Sequence, residues 1–411
     1  MISNQLKNQH LLWRAGFGFL QSGSLATASF MIPRFLKAFE GNSIYVPRGN
    51  KVLVMIQLSG GNDGLNTVIP VRNDIYYRSR PQIAIAAKDA LRLNDETALH
   101  PSLTVFRELF NEGNLSIIND VGYPNPDRSH FRSMDIWQTA SSSNEYISSG
   151  WIGRYLDAQC KDCNRQLKAL ELDDVLSVAM KGNEVNGLAA KDINRLYLSA
   201  TQQMLATISN QHQKEASNLS LDYLYKTMSE TVSAADDLYK NSRSVQLGSS
   251  FPNSDIGKGL KTIASLILSE INTSVYYISL GSFDTHANQP AQQKRLFEQL
   301  NAAVNPFINE MKKQNRFEDL LLVTFSEFGR RVAQNASAGT DHGTANNMFV
   351  VGGALKKSGF YNALPDLMNL ADGDLKYTTD FRSIYATVLE KWLHADAESI
   401  LGMKYQTLGF I

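Results

Sequence analysis

No apolar run in this 411-residue chain approaches the roughly 20 residues needed to span a bilayer. The chain therefore reads as a soluble protein, or as a soluble domain released after export. Neither sign of charge is in surplus: 40 basic and 40 acidic residues cancel, and no basic block appears. The electrostatic footprint of a nucleic-acid binder is thus missing. Cysteine is scarce. Cys160 and Cys163 form CKDC, and without a second pair they give neither a disulfide framework nor a full zinc site. Their polar surroundings, DAQ and NRQ, suggest a loop pair suited to a local disulfide, with redox or metal work as the alternative. There is no GxGxxG, no P-loop, no internal repeat and no low-complexity linker.

What is present is a chain long enough to bury a large core, with an ordinary 43% of hydrophobic residues. Short buried strands are expected at Lys51 to Leu58, Leu115 to Val121, Ser274 to Leu280, Leu320 to Phe325 and Met348 to Val351. Helical spacing marks Pro101 to Glu112, a helix starting near Ser129, one with Pro290 near its start, and a closing helix from Asp380 to Leu393. Alternation of strands and helices predicts an α/β fold with a mainly parallel sheet. Residues 1 to 45 differ from the rest: Lys7 and Arg14 precede a weakly apolar run containing Ala26-Thr27-Ala28. That segment reads either as an atypical export signal or as a retained amphipathic helix. The domain proper is expected over 46 to 411, with a helical insertion about 140–270.

Several strands run into oxygen and nitrogen donors. Asp63 follows the first in SGGNDG; as a plain turn former it would be unremarkable. Asp284 and His286, two apart, point to one side if the chain is still extended, as co-ligands of a metal do; the plainer reading is a turn cap. Asp341 and His342 are adjacent, which favours one as ligand and the other as its outer partner. Glu327 suits either a cation or an ion pair with Arg330 or Arg331. Ser129, at a helix start, is the candidate nucleophile or simply a cap, with His130 and Arg132 beside it. Their joint placement at strand ends argues for one site. Two cation sites about 4 Å apart beside a hydroxyl suit phosphoryl or sulfuryl transfer.

The motifs SGGNDGLN, GYPNPDRSHFRSMDIWQTA, FDTHANQ, TFSEFGRR and GTDHGTANNMFVVGG resemble the bacterial domain-of-unknown-function family fifteen-oh-one, over about residues 48 to 411. The resemblance implies a fold similar to the alkaline phosphatase and sulfatase superfamily, a three-layer sandwich. By that likeness Asp63 corresponds to a first metal aspartate and Ser129 to a nucleophile. Asp284 and His286 correspond to a metal pair, and His342, preceding a strand, to a last metal histidine. The likeness thus implies one site of Asp284, His286 and His342, suited to zinc. It implies another of Asp63, Ser129 and Glu327, rich in oxygen and suited to Mg²⁺, Ca²⁺ or Mn²⁺.

The expected activity is metal-dependent hydrolysis of phosphate or sulfate esters, with Arg132 or Arg330 holding the transferred group's oxygens. The alternative is a non-catalytic exported protein that binds an anionic or glycan ligand in the same pocket. No cysteine stands in a formylglycine-type motif, which argues against that sulfatase chemistry. A periplasmic or secreted location is expected, with cytoplasmic as the alternative, because Trp13-Arg14 stands where a twin arginine would.

Overall fold

The computed structural model describes residues 50–159, 167–201, 219–269 and 271–411, with the backbone alone described over 219–230. Cys160, Cys163 and the segment 1 to 45 lie outside the described residues. The first strand, β1 (Val52–Leu58), is buried at every position. An apolar run without alternation suits a strand covered on both faces. Next come β2 (Val68–Pro70), β3 (Leu91–Arg92) and β4 (Thr97–Leu99), a small antiparallel sheet in the order β2-β4-β3. β5 (Leu115–Gly122), β6 (Ala169–Glu171), β7 (Leu188–Ala189), β8 (Val275–Leu280), β9 (Leu320–Phe325), β10 (Asn346–Val351) and β11 (Gly359–Phe360) follow. With β1 they form the main sheet, ordered β11-β5-β10-β9-β1-β8-β6-β7, and β12 (Thr379–Asp380) pairs with β5.

β1 runs parallel to β8 and β9, and β6 parallel to β7 and β8. β10 alone among these strands is antiparallel, to both β5 and β9. The start of β10 therefore lies at the sheet edge where its neighbours end. One face of the sheet puts Leu53, Met55, Tyr277 and Phe325 into a core with Trp137, Trp151, Phe381 and Tyr385. Trp137 stacks between Phe381, 4.2 Å away, and Phe325, 5.4 Å away. On the other face the helix Asp255–Leu268 packs against Ile278, where a Cβ on Gly259 would come within 2.2 Å of Ile278 Cδ1. Helices thus cover both faces, the α/β sandwich that the sequence predicts.

Local signals set the helix ends. Gly113, with φ +76°, ends the helix Thr104–Asn111. Asp380 accepts from Arg382 N at 2.9 Å and starts the helix Phe381–Thr387. That helix passes into a π-helical turn at Val388–Trp392 rather than continuing regularly to Leu393. Ile384, Val388, Leu389 and Leu393 still face the core. The stretch about 140–270, expected as a helical insertion, also contributes β6 and β7 to the sheet edge. Strands of three and two residues are too short to show a period. Among the described residues, Ile193–Asp237 fall in a compact unit of their own, where Leu196 and Ala200 pack with Val232 and Ala235. The main sheet belongs to the other unit, within Ile44–Asp192 and Leu238–Ile411. No described helix is long and apolar enough to cross a membrane.

Candidate metal centre

β1, β5, β8 and β9 end, and β10 begins, along one sheet edge, and since one loop joins β9 to β10, four loops meet there. Gly60 lets two of them touch. Its φ is +119°, and a Cβ on it would lie 2.4 Å from Asp284 N. Arg330, fully buried, joins the loops. Its guanidinium donates to the carbonyl oxygens of Gly60, of Gly61 at 2.6 Å, of Phe283 at 3.1 Å and of Thr340 at 2.8 Å. It also donates to Asp284 Oδ1 at 2.6 Å.

Asp284 Oδ1 lies 3.0 Å from His286 Nε2 and 3.1 Å from His342 Nε2, and the two imidazole nitrogens are 2.9 Å apart. Each ring is set from behind. His342 Nδ1 is 2.8 Å from the carbonyl oxygen of Arg128, a pure acceptor, so Nδ1 carries the proton and Nε2 a lone pair. His286 Nδ1 lies 3.2 Å from Asp341 Oδ1, which turns its Nε2 toward Asp284 and His342. Burial, outweighing the Arg128 carbonyl and Asp284, holds the pKa of His342 below its ordinary value and keeps the ring neutral. At Asp284 burial opposes ionisation. The hydrogen bond and the charge of Arg330 overcome it and bring the carboxyl down to about 2.

Three atoms able to ligate a metal therefore face one another across about 3 Å. Edges of about 3 Å are what donors bonded at roughly 2.0–2.1 Å to one ion span, and two imidazoles with a carboxylate suit zinc.

A third imidazole points the same way. His130, first residue of the helix His130–Thr139, has Nδ1 3.0 Å from Glu327 Oε1. Its Nε2 makes no hydrogen bond and stands 3.5 Å from Asp284 Oδ2. The hydrogen bond to Glu327, opposed by burial and reinforced by the charges of Glu327 and Asp284, raises the pKa of His130. Donor atoms of His130, Asp284 and His342 all lie within 4.8 Å of one another.

The remaining expected residues are placed differently. Asp63 Oδ2 accepts from Arg80 Nη1 at 2.6 Å and from the Gln289 amide, while Oδ1 accepts from Leu65 N at 3.1 Å. Buried Arg80, unmarked in the sequence, thus neutralises a buried aspartate. Glu327 Oε1 is shared between Gly60 N at 2.7 Å and His130. Both carboxylates of the oxygen-rich cation site expected of Asp63, Ser129 and Glu327 thus accept from protein donors.

Ser129 is exposed at the start of its helix, and its hydroxyl makes no capping bond. Its chain neighbours Arg128 and His130 both reach the centre. Arg132 points away: Nη2 donates to the carbonyls of Ser142 and Ser143 at 3.0 Å each, and the guanidinium lies 3.9 Å from the Tyr146 ring centroid. Arg132 and Arg330 are thus spent on the protein rather than held ready for a substrate. Asp341 serves as the outer partner of His286, its Oδ1 also 3.2 Å from Asn335 Nδ2.

The family model described as "Protein of unknown function (DUF1501)" matches residues 50–404. No curated protein matches the sequence. Similar solved structures include the lipoteichoic acid synthase LtaP from Listeria monocytogenes, at 11% identity, with 92% of this chain and 80% of that one covered and a TM-score of 0.37. The PsFucS1 sulfatase from Pseudoalteromonas sp. shares 10% identity over 91% of this chain and 72% of that one, with a TM-score of 0.38. The alkaline phosphatase of the Antarctic bacterium TAB5 shares 11% identity over 74% and 92%, with a TM-score of 0.31.

Proposed function

We propose, for a chain that belongs to the DUF1501 family of proteins of unknown function, that it is a metal-dependent hydrolase of phosphate or sulfate esters. The observation that carries this reading is the meeting of His286 Nε2, His342 Nε2 and Asp284 Oδ1 within 3.1 Å, each histidine anchored through Nδ1. His286, His342 and Asp284 would hold a divalent cation, which would supply positive charge where negative charge develops on the transferred group. Ser129 is the nucleophile: exposed, not spent on capping, and flanked by two residues that touch the centre. His130, with Nδ1 on Glu327 and Nε2 unpartnered, takes the serine proton as the oxygen bonds to phosphorus or sulfur. The ester oxygen leaves with the electron pair of the broken bond and that proton; water then releases the group from Ser129. Arg330 keeps Asp284 ionised and the loops in place.

Ser129→Ala tests the nucleophile. Turnover of phosphate and sulfate monoesters is expected to fall at least about 10²-fold. Stability should stay within about 0.5 kcal/mol, because no capping bond is lost. A folded variant with unchanged turnover removes Ser129 from the mechanism. His130→Gln separates a proton acceptor from a ligand. The rate is expected to fall roughly 10²–10⁴-fold with metal content retained; loss of the metal would make His130 a ligand instead.

A further inference from the structure

On β5 the chain departs from regular pairing. Val121 faces Asn346 and Ile118 faces Met348, so Asn119 and Asp120 together oppose the single residue Asn347 of β10. This is a bulge, and Asp120 takes the left-handed conformation, φ 51°, inside a strand that is buried throughout. Asn119 and Asp120 are 1% and 6% exposed, and the Oδ1 atom of each takes no hydrogen bond. The amide of Asn119 is oriented by its Nδ2, which donates to the Ala363 carbonyl at 3.2 Å, so the orphaned atom is the oxygen. Both residues line one cavity of about 10 Å³, together with Asn346, Asn347 and Pro365. That is room for about one water or ion.

Two buried acceptors without a donor are costly, and a buried carboxylate more so. Among the described residues no cationic side chain compensates: burial, joined by the charge of Asp366, pushes the Asp120 carboxyl up to about 7. Oxygen donors without nitrogen or sulfur select hard cations, and Ca²⁺, whose coordination is flexible, is held more readily by such donors than Mg²⁺, which demands near-ideal octahedral geometry.

We propose that Asn119 Oδ1 and Asp120 Oδ1 bind a calcium-class cation in this cavity, a site separate from the histidine centre. The ion satisfies both orphaned oxygens and pins the β5 bulge against β10, whose start leads back to His342. Asn tolerates the left-handed region as well as Asp does, so Asp120→Asn keeps the backbone while removing the charge.

The full chain, treated with EGTA, is melted with and without CaCl₂. Saturating Ca²⁺ is expected to raise the midpoint by about 2–5 °C in the wild type and equally in Asp284→Asn, with no rise in Asp120→Asn. Equilibrium dialysis with radiocalcium, which needs no variant, is expected to find about one ion per chain, as one cavity allows. No rise and no bound calcium in the wild type would mean that the cavity holds only water, and would overturn the proposal. An equal rise in Asp120→Asn would overturn it by locating the ion elsewhere.

Discussion

At the scale of the residue, the groups around the centre act by holding one another in a protonation state. Arg330 charges Asp284, Asp341 and the Arg128 carbonyl turn two imidazoles, and Glu327 turns a third. Arg330→Lys would supply one ammonium in place of a fork that reaches four carbonyls and a carboxylate. A loss of about 2–4 kcal/mol in stability and weaker metal retention are expected, measured by denaturant unfolding and metal titration. A second residue-scale prediction concerns Glu171 on β6, which is 2% exposed. Burial, eased by Ser177 N at 2.7 Å, pushes its carboxyl up to about 7 from 4.5. Because the folded pKa exceeds the unfolded one, the folded state binds the extra proton between these values. Glu171 therefore costs stability progressively as pH rises from about 4.5 to 7, by roughly 3 kcal/mol in all. Urea unfolding across that window should show this slope in the wild type and a flatter one in Glu171→Gln. Equal slopes would remove Glu171 as the cause.

At the scale of the element, the centre depends on the direction of β10. A parallel strand there would carry His342 to the opposite edge; antiparallel pairing with β5 and β9 brings it to Asp284. The sequence showed the strand as a short apolar run ending in Gly352-Gly353, and the histidine before it, but not its direction. Direction is set by partners far away in the chain. Asp284 and His286 were legible because a spacing of two is a local property. The Arg80 partner of Asp63 was not, since the pair joins residues whose side chains meet only through tertiary folding. Arg132 was misleading for the same reason: nothing local reveals that three carbonyls of the 142–145 turn receive its guanidinium. The meeting of the β1 and β8 loops is testable at Gly60. Gly60→Ala places a Cβ against Asp284 backbone at a φ that disfavours side chains. A loss of about 2–4 kcal/mol is expected in thermal or urea unfolding, with reduced metal affinity. Unchanged values would mean that the loops have room to part.

At the scale of the whole molecule, a sheet buried on both faces gives a rigid edge on which the centre is assembled. Apolar strands and helix caps made this architecture readable from the sequence. β6 and β7 were too short to be read. The proposed activity requires that this edge hold a metal. The chain, loaded with Zn²⁺ and dialysed, is to be analysed by elemental mass spectrometry alongside Ser129→Ala and His342→Ala, with folding checked by circular dichroism. About one zinc per chain is expected in the wild type and in Ser129→Ala, as the single His286–Asp284–His342 set implies. In His342→Ala the content should fall by about tenfold or more. A folded wild type that retains no zinc, or a His342→Ala variant that retains as much, would contradict the account.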